Sequence, residues 1–180
     1  MENQRFSFGT FFWRITATHM ISYFIMGVIA SNILNYEEVF NNSTTLRPFD
    51  SPWIAAGPAL QILRGLVFAL ALWYFKESFI HVRRGWLKLW GLVVGLCILS
   101  TCAAPAGSIE GFIYTTTPLI DHVRGYLEIV PQTGLFAFML CRWYDHPGKV
   151  WNTIAIVAVS LIVLMSFMGV LAASGIITPQ

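Results

Sequence analysis

Long apolar stretches alternate with short polar segments along the whole chain, and five of the stretches are long enough to cross a bilayer. A membrane-spanning helix needs about 20 mostly apolar residues. Proline and glycine mark the boundaries, with Pro52 before the second stretch and Pro147 and Gly148 before the fifth. The pattern predicts spanning helices over residues 11–34, 55–75, 86–106, 119–143 and 150–176.

The first stretch has a second interpretation, because Arg5 precedes it as a basic residue precedes a secretory signal peptide. It contains no convincing small-residue cleavage site, and it is longer than the apolar region of a signal peptide. We therefore interpret it as the first span of a single transmembrane domain that covers residues 1–180.

Lysine and arginine are concentrated in the N-terminal tail and in every second connection between the predicted spans. They occur in the N-terminal tail, between spans two and three, and between spans four and five; these residues are Arg5, Arg14, Lys76, Arg83, Arg84, Lys88, Arg142 and Lys149. With five spans, all three regions fall on one side, which basic residues identify as the cytoplasmic side. The predicted topology has the N-terminus inside and the C-terminus outside.

Composition agrees with this interpretation. The chain has 180 residues, of which 56% are hydrophobic and 11% are charged, with a net charge of +2. A soluble domain has about 25% charged residues. These values exclude most soluble enzymes, intrinsic disorder and nucleic-acid binding, which needs a basic surface. We expect an all-α, multi-pass protein of the cell membrane, and specifically of a bacterial inner membrane.

The fourth span carries the polar residues that point to a function. Asp121, Glu128 and Gln132 fall within about 40° of one another on a helix, and Arg124 lies about 60° to one side. His122 lies near the outer end of the same span. Charged groups inside a bilayer are costly, so this stripe is expected to face the bundle interior or a wet cavity.

The second span contributes Gln61 and Arg64, and Arg64 lies about 12–14 Å from the outer end at 1.5 Å per residue. Glu128 lies at about the same depth. An Arg64–Glu128 ion pair is therefore the simplest neutralising arrangement, and it leaves Arg124 for an anion. Alternatively, Arg124 and Glu128 pair at i and i+4 and only stabilise the helix.

The connection between spans three and four is rich in small residues and prolines but also carries apolar side chains. A loop that re-enters the membrane above the polar stripe would bring Glu110 and Tyr114 to it. The alternative is an ordinary interfacial loop, since hydropathy does not separate the two.

Metal and haem sites are not expected. The H-E-x-x-H motif is absent, and the two histidines that match in depth, His81 and His146, lie outside the spans. The candidate ligand-binding residues are therefore polar side chains of the outer half, with no cofactor or metal: Gln61, Arg64, Glu110, Tyr114, His122, Arg124, Glu128 and Gln132.

Three function classes are compatible with this pattern. The main expectation is a membrane protein whose outward-facing polar cavity binds or moves a small anionic or zwitterionic molecule or a lipid head group. One alternative is a non-catalytic subunit of a larger membrane complex, whose polar stripe pairs with a helix of another chain. Gly91 and Gly95 form a G-x-x-x-G pattern, which indicates close helix packing either within the chain or between subunits of a homo-oligomer or larger complex. The other is a small intramembrane enzyme with Glu128 or His122 as proton carrier.

Overall fold

The computed structural model describes residues 7–43, 46–101 and 104–177, and within these ranges the chain is helical and has no strand. The α-helices are α1 (Phe8–Ile33), α2 (Tyr36–Asn41), α3 (Pro52–Trp73), α4 (Gly85–Val94), α5 (Ile109–Tyr114), α6 (Leu119–Asp145) and α7 (Lys149–Ala173). A single-turn 3-10 helix, Lys76–Ser78, follows α3, and a π turn, Gly95–Leu99, extends α4.

Local sequence explains where the helices begin. The hydroxyl of Ser51 accepts from the backbone N–H of Trp53 at 3.4 Å, and Pro52 occupies the first turn of α3. Ser108 starts α5 in the same way, because its hydroxyl accepts from Gly111 N–H at 2.9 Å. Between α1 and α2, Asn35 takes a left-handed conformation with φ of 49°, which lets the chain turn sharply.

Helix α1 is the central helix, and it packs against α3, α6 and α7. Its buried stretch includes small and polar side chains, for example Thr16 and Ala17. Gly65 of α3 lies so close that a Cβ there would be 2.6 Å from the hydroxyl oxygen of Thr16. The two backbones therefore meet at a point that only glycine permits.

The remaining helices pack around this centre. Helix α4 packs on α6, and α7 packs on α3 as well as on α1. Neither α4 nor α6 makes an extensive contact with α3. The backbones of α3 and α6 are therefore not closely packed, although their side chains meet where the Phe68 ring lies 5.8 Å from the Phe136 ring.

Aromatic contacts show which helix ends lie together. The Phe11 ring lies 5.4 Å from the Trp73 ring and 6.4 Å from the Tyr144 ring, so the start of α1 meets the ends of α3 and α6. His81 Nδ1 lies 3.4 Å from Asp145 Oδ1. The segments 76–88 and 142–149, which carry most of the basic residues, therefore share one end, called here the basic end; α2 lies at the opposite end.

Two helices, α3 and α7, are long and apolar enough to cross a membrane. Only 11% and 17% of their most apolar 18-residue windows is buried. The apolar helix Gly85–Leu99 is shorter. It ends before the predicted limit of span three at residue 106, and residues 102–103 of that span lie outside the described residues.

Gly91 of α4 and Gly95 of the π turn do not pack against another helix of the described chain. Apart from the backbone of their own helix, no described atom lies within 4 Å of a Cβ built on either glycine. Of the two alternatives for this pair, close packing within the chain is therefore wrong. Gly169 of α7 is the residue that allows close approach, since a Cβ there would lie 3.1 Å from Ala55.

Candidate functional site

A cavity of about 270 Å³ opens near the α2 end of the bundle, between α1, α2, α3 and α6. Its walls are largely aromatic and carry one acidic side chain, Glu128. Its aromatic lining residues are Tyr23, Phe24, Tyr36, Phe40, Phe49 and Trp53. We call it the Glu128 cavity.

Tyr36 holds the carboxylate of Glu128. The phenol donates a hydrogen bond to Glu128 Oε2 from the first residue of α2. Burial, and next the hydrogen bond to this carboxylate, raise the pKa of the Tyr36 phenol above its ordinary value. Tyr36 is therefore a proton donor to Glu128 throughout the neutral range. Gly27 leaves room at the other oxygen, because a Cβ there would lie 3.9 Å from Glu128 Oε1.

A second, smaller cavity of about 50 Å³ lies deeper in the bundle, between α3 and α4. Its polar lining residues are His19, Arg64, Gln132 and Thr133. The guanidinium carbon of Arg64 lies 5.5 Å from the centre of the Phe68 ring. We call this cavity the Arg64 cleft. Gln61 lies beside it, because its Oε1 lies 3.1 Å from Nε2 of His19, which lines the cleft.

The predicted Arg64–Glu128 pair does not form. The described residues contain no ion pair between these side chains, and the two line different cavities. Depth along a helix is readable from residue spacing, but the direction of a side chain around the bundle depends on the order of helix packing. Here Arg64 lies beside Phe68 and shares its cavity with Gln132, whereas Glu128 accepts a hydrogen bond from Tyr36 of α2.

Arg124 does not reach Glu128 either. Its Nη1 lies 3.2 Å from Asp121 Oδ1, one turn earlier on α6, and both side chains are exposed or half-exposed. Long helical side chains lean toward the N-terminus of their helix, which favours Asp121 over Glu128 as partner. The interpretation of Arg124 and Glu128 as a structural pair is therefore wrong, and an exposed pair such as Arg124–Asp121 contributes little to stability.

His122 contacts the segment between α4 and α6 and holds it against α6. Its Nδ1 accepts from the backbone N–H of Gly107 at 2.8 Å, and its ring stacks on Phe112 at 4.0 Å. The hydroxyl of Tyr126 donates to the Gly107 carbonyl. His122 is fully buried by these contacts and lines neither the Glu128 cavity nor the Arg64 cleft.

The segment that contains α5 folds against the first turns of α6 without bringing its own polar groups to either cavity. Tyr114 is 75% exposed, and Glu110 lies in the first turn of α5. The expectation that these two residues join the polar stripe is therefore wrong. Of the predicted set, the structure brings Arg64 and Gln132 together in one cavity, with Gln61 beside them, and puts Glu128 in another.

Sequence reasoning missed the aromatic residues that build the Glu128 cavity. Tyr36, Phe40, Phe49 and Trp53 all lie between the first two predicted spans. The clustering of four aromatic residues in a segment between two apolar stretches was the available signal. Such residues favour positions where one face is apolar and the other end polar.

No protein family, curated protein or solved structure matches this chain. Within the described ranges, no group of three histidine, cysteine, aspartate or glutamate side chains is placed to hold a metal ion.

Proposed function

We propose that the chain is a five-span membrane protein whose Glu128 cavity opens to the outside and binds the head group of a zwitterionic lipid or small molecule. The spans are α1, α3, α4 with its π turn, α6 and α7. The exposed apolar faces of α3 and α7 support this placement, because soluble monomers rarely expose apolar patches of this extent. The basic end would face the cytoplasm of a bacterial inner membrane.

The single observation that carries the proposal is a carboxylate inside an aromatic cavity. Ammonium groups are attracted to the faces of tryptophan and tyrosine rings, and an acidic side chain adds a direct charge partner. The cavity of about 270 Å³ has the size of a small ligand pocket or a head group. An ammonium group beside Glu128 is therefore the part of the ligand that the cavity recognises.

The acidic part of a zwitterion has a candidate partner at the rim. The Arg47 guanidinium carbon lies 5.3 Å from the centre of the Trp53 ring, and Trp53 lines the cavity. A phosphate or carboxylate beside Arg47 would keep the ammonium end of the same molecule near Glu128. This arrangement favours a zwitterion over the simple anion that Arg124 suggested.

The test is a thermal-shift titration of the purified full-length protein in detergent. The two probes have identical short acyl chains and differ in head group: phosphatidylethanolamine, which carries an ammonium, and phosphatidylglycerol, which does not. We expect the ethanolamine lipid to bind at least about tenfold more tightly, equivalent to about 1.4 kcal/mol. Glu128→Gln should remove this preference.

The matched control is Glu77→Gln, which neutralises an exposed carboxylate of the 3-10 turn at the basic end. It should leave the preference intact. Equal affinity of both lipids for the unmodified protein, or a preference that survives Glu128→Gln, would contradict the proposal.

Association with a further chain is a second candidate, and the free glycine pair of α4 favours it. Gly91 and Gly95 have open space around them, as a surface for close packing by another helix requires. Light scattering of the detergent-solubilised protein should then give a mass above one chain, and Gly91→Ile should reduce it to one chain. A single-chain mass before substitution would exclude a homo-oligomer through α4.

A further inference from the structure

Arg64 is a charged side chain on the flank of the bundle with no counter-ion. It is exposed, and the described residues offer it no ion pair. It lies nine residues before Trp73, the last residue of α3, which is about 14 Å along the helix. If α3 spans a bilayer as proposed above, this charge lies within the apolar layer, where an unpaired charge is costly.

Gln132 faces the same space and also lacks a partner. Its side chain is 6% exposed and lines the Arg64 cleft, yet it makes no hydrogen bond with any residue that the structure describes. The Gln132 amide is not sealed off by protein atoms, so it is free to donate a hydrogen bond to a molecule that enters the cleft. The other polar residues of the cleft are occupied, since His19 contacts Gln61 and Thr133 donates to the carbonyls of its own helix.

The cleft is largely enclosed, and its exposed lining residues, Arg64 and Cys97, mark where it reaches the surface. Its walls are α3 and α4, which do not pack extensively on each other, and its floor is formed by α1 and α6. Leu63 and Leu96, the sequence neighbours of Arg64 and Cys97, are 63% and 62% exposed, so apolar side chains lie on the surface of both helices. The π turn of α4 contributes Cys97 and Ile98 to the lining, and π turns occur frequently at functional sites.

We propose that the Arg64 cleft binds the carboxylate of a single-chain amphipathic molecule, such as a fatty acid, that enters sideways from the membrane. The guanidinium would bind both carboxylate oxygens, and the Gln132 amide would donate to one of them. The alkyl chain would lie along the apolar faces of α3 and α4. The proposal rests on the membrane placement above, but it does not depend on what binds beside Glu128.

The size of the cleft favours a carboxylate over a larger head group. A volume of about 50 Å³ corresponds to a few water molecules. A carboxylate fits such a space, whereas a phosphate with its glycerol would remain largely outside.

The test measures binding of radiolabelled oleate to the purified full-length protein in detergent by scintillation proximity. Arg64→Gln should weaken binding by at least about tenfold, because it removes the charge and the two-point contact. Gln132→Leu should weaken it by a smaller factor, about threefold. Arg64→Lys keeps the charge but not the two-point contact, so it should give an intermediate affinity. It replaces Arg64→Gln as the test if the glutamine variant does not fold.

Arg83→Gln is the matched control, because it removes an exposed arginine from the basic end, remote from the cleft. It should leave oleate affinity unchanged. Oleyl alcohol, which has the same chain without the charge, should not compete with oleate, and lysophosphatidate should compete less well than oleate itself. Equal competition by the alcohol, or an unchanged oleate affinity in both Arg64 variants, would overturn the proposal. Better competition by lysophosphatidate would also overturn it, because the cleft would then bind a phosphate and not a carboxylate.

Glu128→Gln separates this proposal from the one above. It should leave oleate binding intact while removing the preference for the ethanolamine lipid. Absence of oleate binding in a protein that still prefers the ethanolamine lipid overturns only the inference about the Arg64 cleft. The opposite result overturns only the proposal for the Glu128 cavity.

Discussion

Tyr36 is the residue that ties α2 to the bundle, because its phenol donates to the carboxylate of Glu128. Tyr36→Phe keeps the ring and removes only the hydroxyl. We expect the free energy of unfolding to fall by about 1–2 kcal/mol, since a half-buried carboxylate loses its donor. Thermal unfolding in detergent measures this, with Tyr74→Phe, at an exposed tyrosine, as the control.

The same phenol gives a pH dependence. Burial and the Glu128 carboxylate raise its pKa in the folded chain above the ordinary value of 10.0. Above about pH 10 the unfolded chain therefore binds fewer protons than the folded chain, and the free energy of unfolding falls as pH rises. This contribution is fully present at neutral pH, and Tyr36→Phe should make the decline above pH 10 less steep. An unchanged slope would show that the hydrogen bond does not persist in solution.

The sequence predicted which residues belong to a candidate site, but it did not predict which residues they contact. The chemistry of Arg64, Gln132 and Glu128 inside apolar stretches marked them as candidate site residues, and each of them lines a cavity. Residue spacing gave their depth, because a helix rises by a fixed amount per residue. Their partners depended on which face of each helix meets its neighbours, and no local pattern encodes the order in which helices pack.

At the scale of the helices, the lengths of the apolar stretches predicted the ends of four of the five long helices to within a few residues. The prediction for the third span ended too late, because apolar composition continues past the point where the helix ends at Leu99. The short helices α2 and α5 were not predicted, since six residues are too few to give a periodic pattern. They are held by tertiary contacts, which sequence periodicity does not record.

The close approach of α1 and α3 at Gly65 gives an element-scale prediction. A Cβ there would lie 2.9 Å from the Cα of Thr16, so Gly65→Ala must separate the helices or strain them. We expect a loss of about 1–3 kcal/mol in the free energy of unfolding. Gly125→Ala adds the same methyl group to α6, where nothing outside its own helix backbone lies within 4 Å, and it should be neutral or slightly stabilising. Equal melting temperatures for the two variants would exclude the tight α1–α3 crossing.

Gly107 fastens the α5 segment to α6 in a conformation that suits glycine. Its φ is +89°, and a Cβ would lie 3.2 Å from Cε1 of Tyr126. Gly107→Ala should therefore weaken the anchoring of the segment by about 1–2 kcal/mol. Limited proteolysis should cut residues 104–118 faster in this variant. Gly148→Ala, in extended backbone with open space around it, should show the cleavage rate of the unmodified protein; a segment equally protected in both variants would argue against the anchor.

At the scale of the whole molecule, the structure brings the basic segments to one end and the two cavities to different depths on different faces. The Glu128 cavity lies near α2, whereas the Arg64 cleft opens between α3 and α4. Under the proposed membrane placement, the Glu128 cavity would take a group from the aqueous side and the Arg64 cleft would take one from the lipid side. The proposal for the Glu128 cavity needs the α2 end to lie outside, whereas the proposal for the Arg64 cleft needs only that α3 spans the membrane.

The topology is measurable in intact cells. After Cys97, Cys102 and Cys141 are replaced, single cysteines are introduced at Asn42, which follows α2, and at Gly148, which precedes α7 at the basic end. Because basic segments stay on the cytoplasmic side, an impermeant thiol reagent should label Asn42→Cys and leave Gly148→Cys unlabelled until the cells are opened. Labelling of both positions once the membrane is permeabilised controls for accessibility of each thiol. Equal labelling of the two positions in intact cells would exclude the proposed five-span orientation, and with it a Glu128 cavity that faces outward.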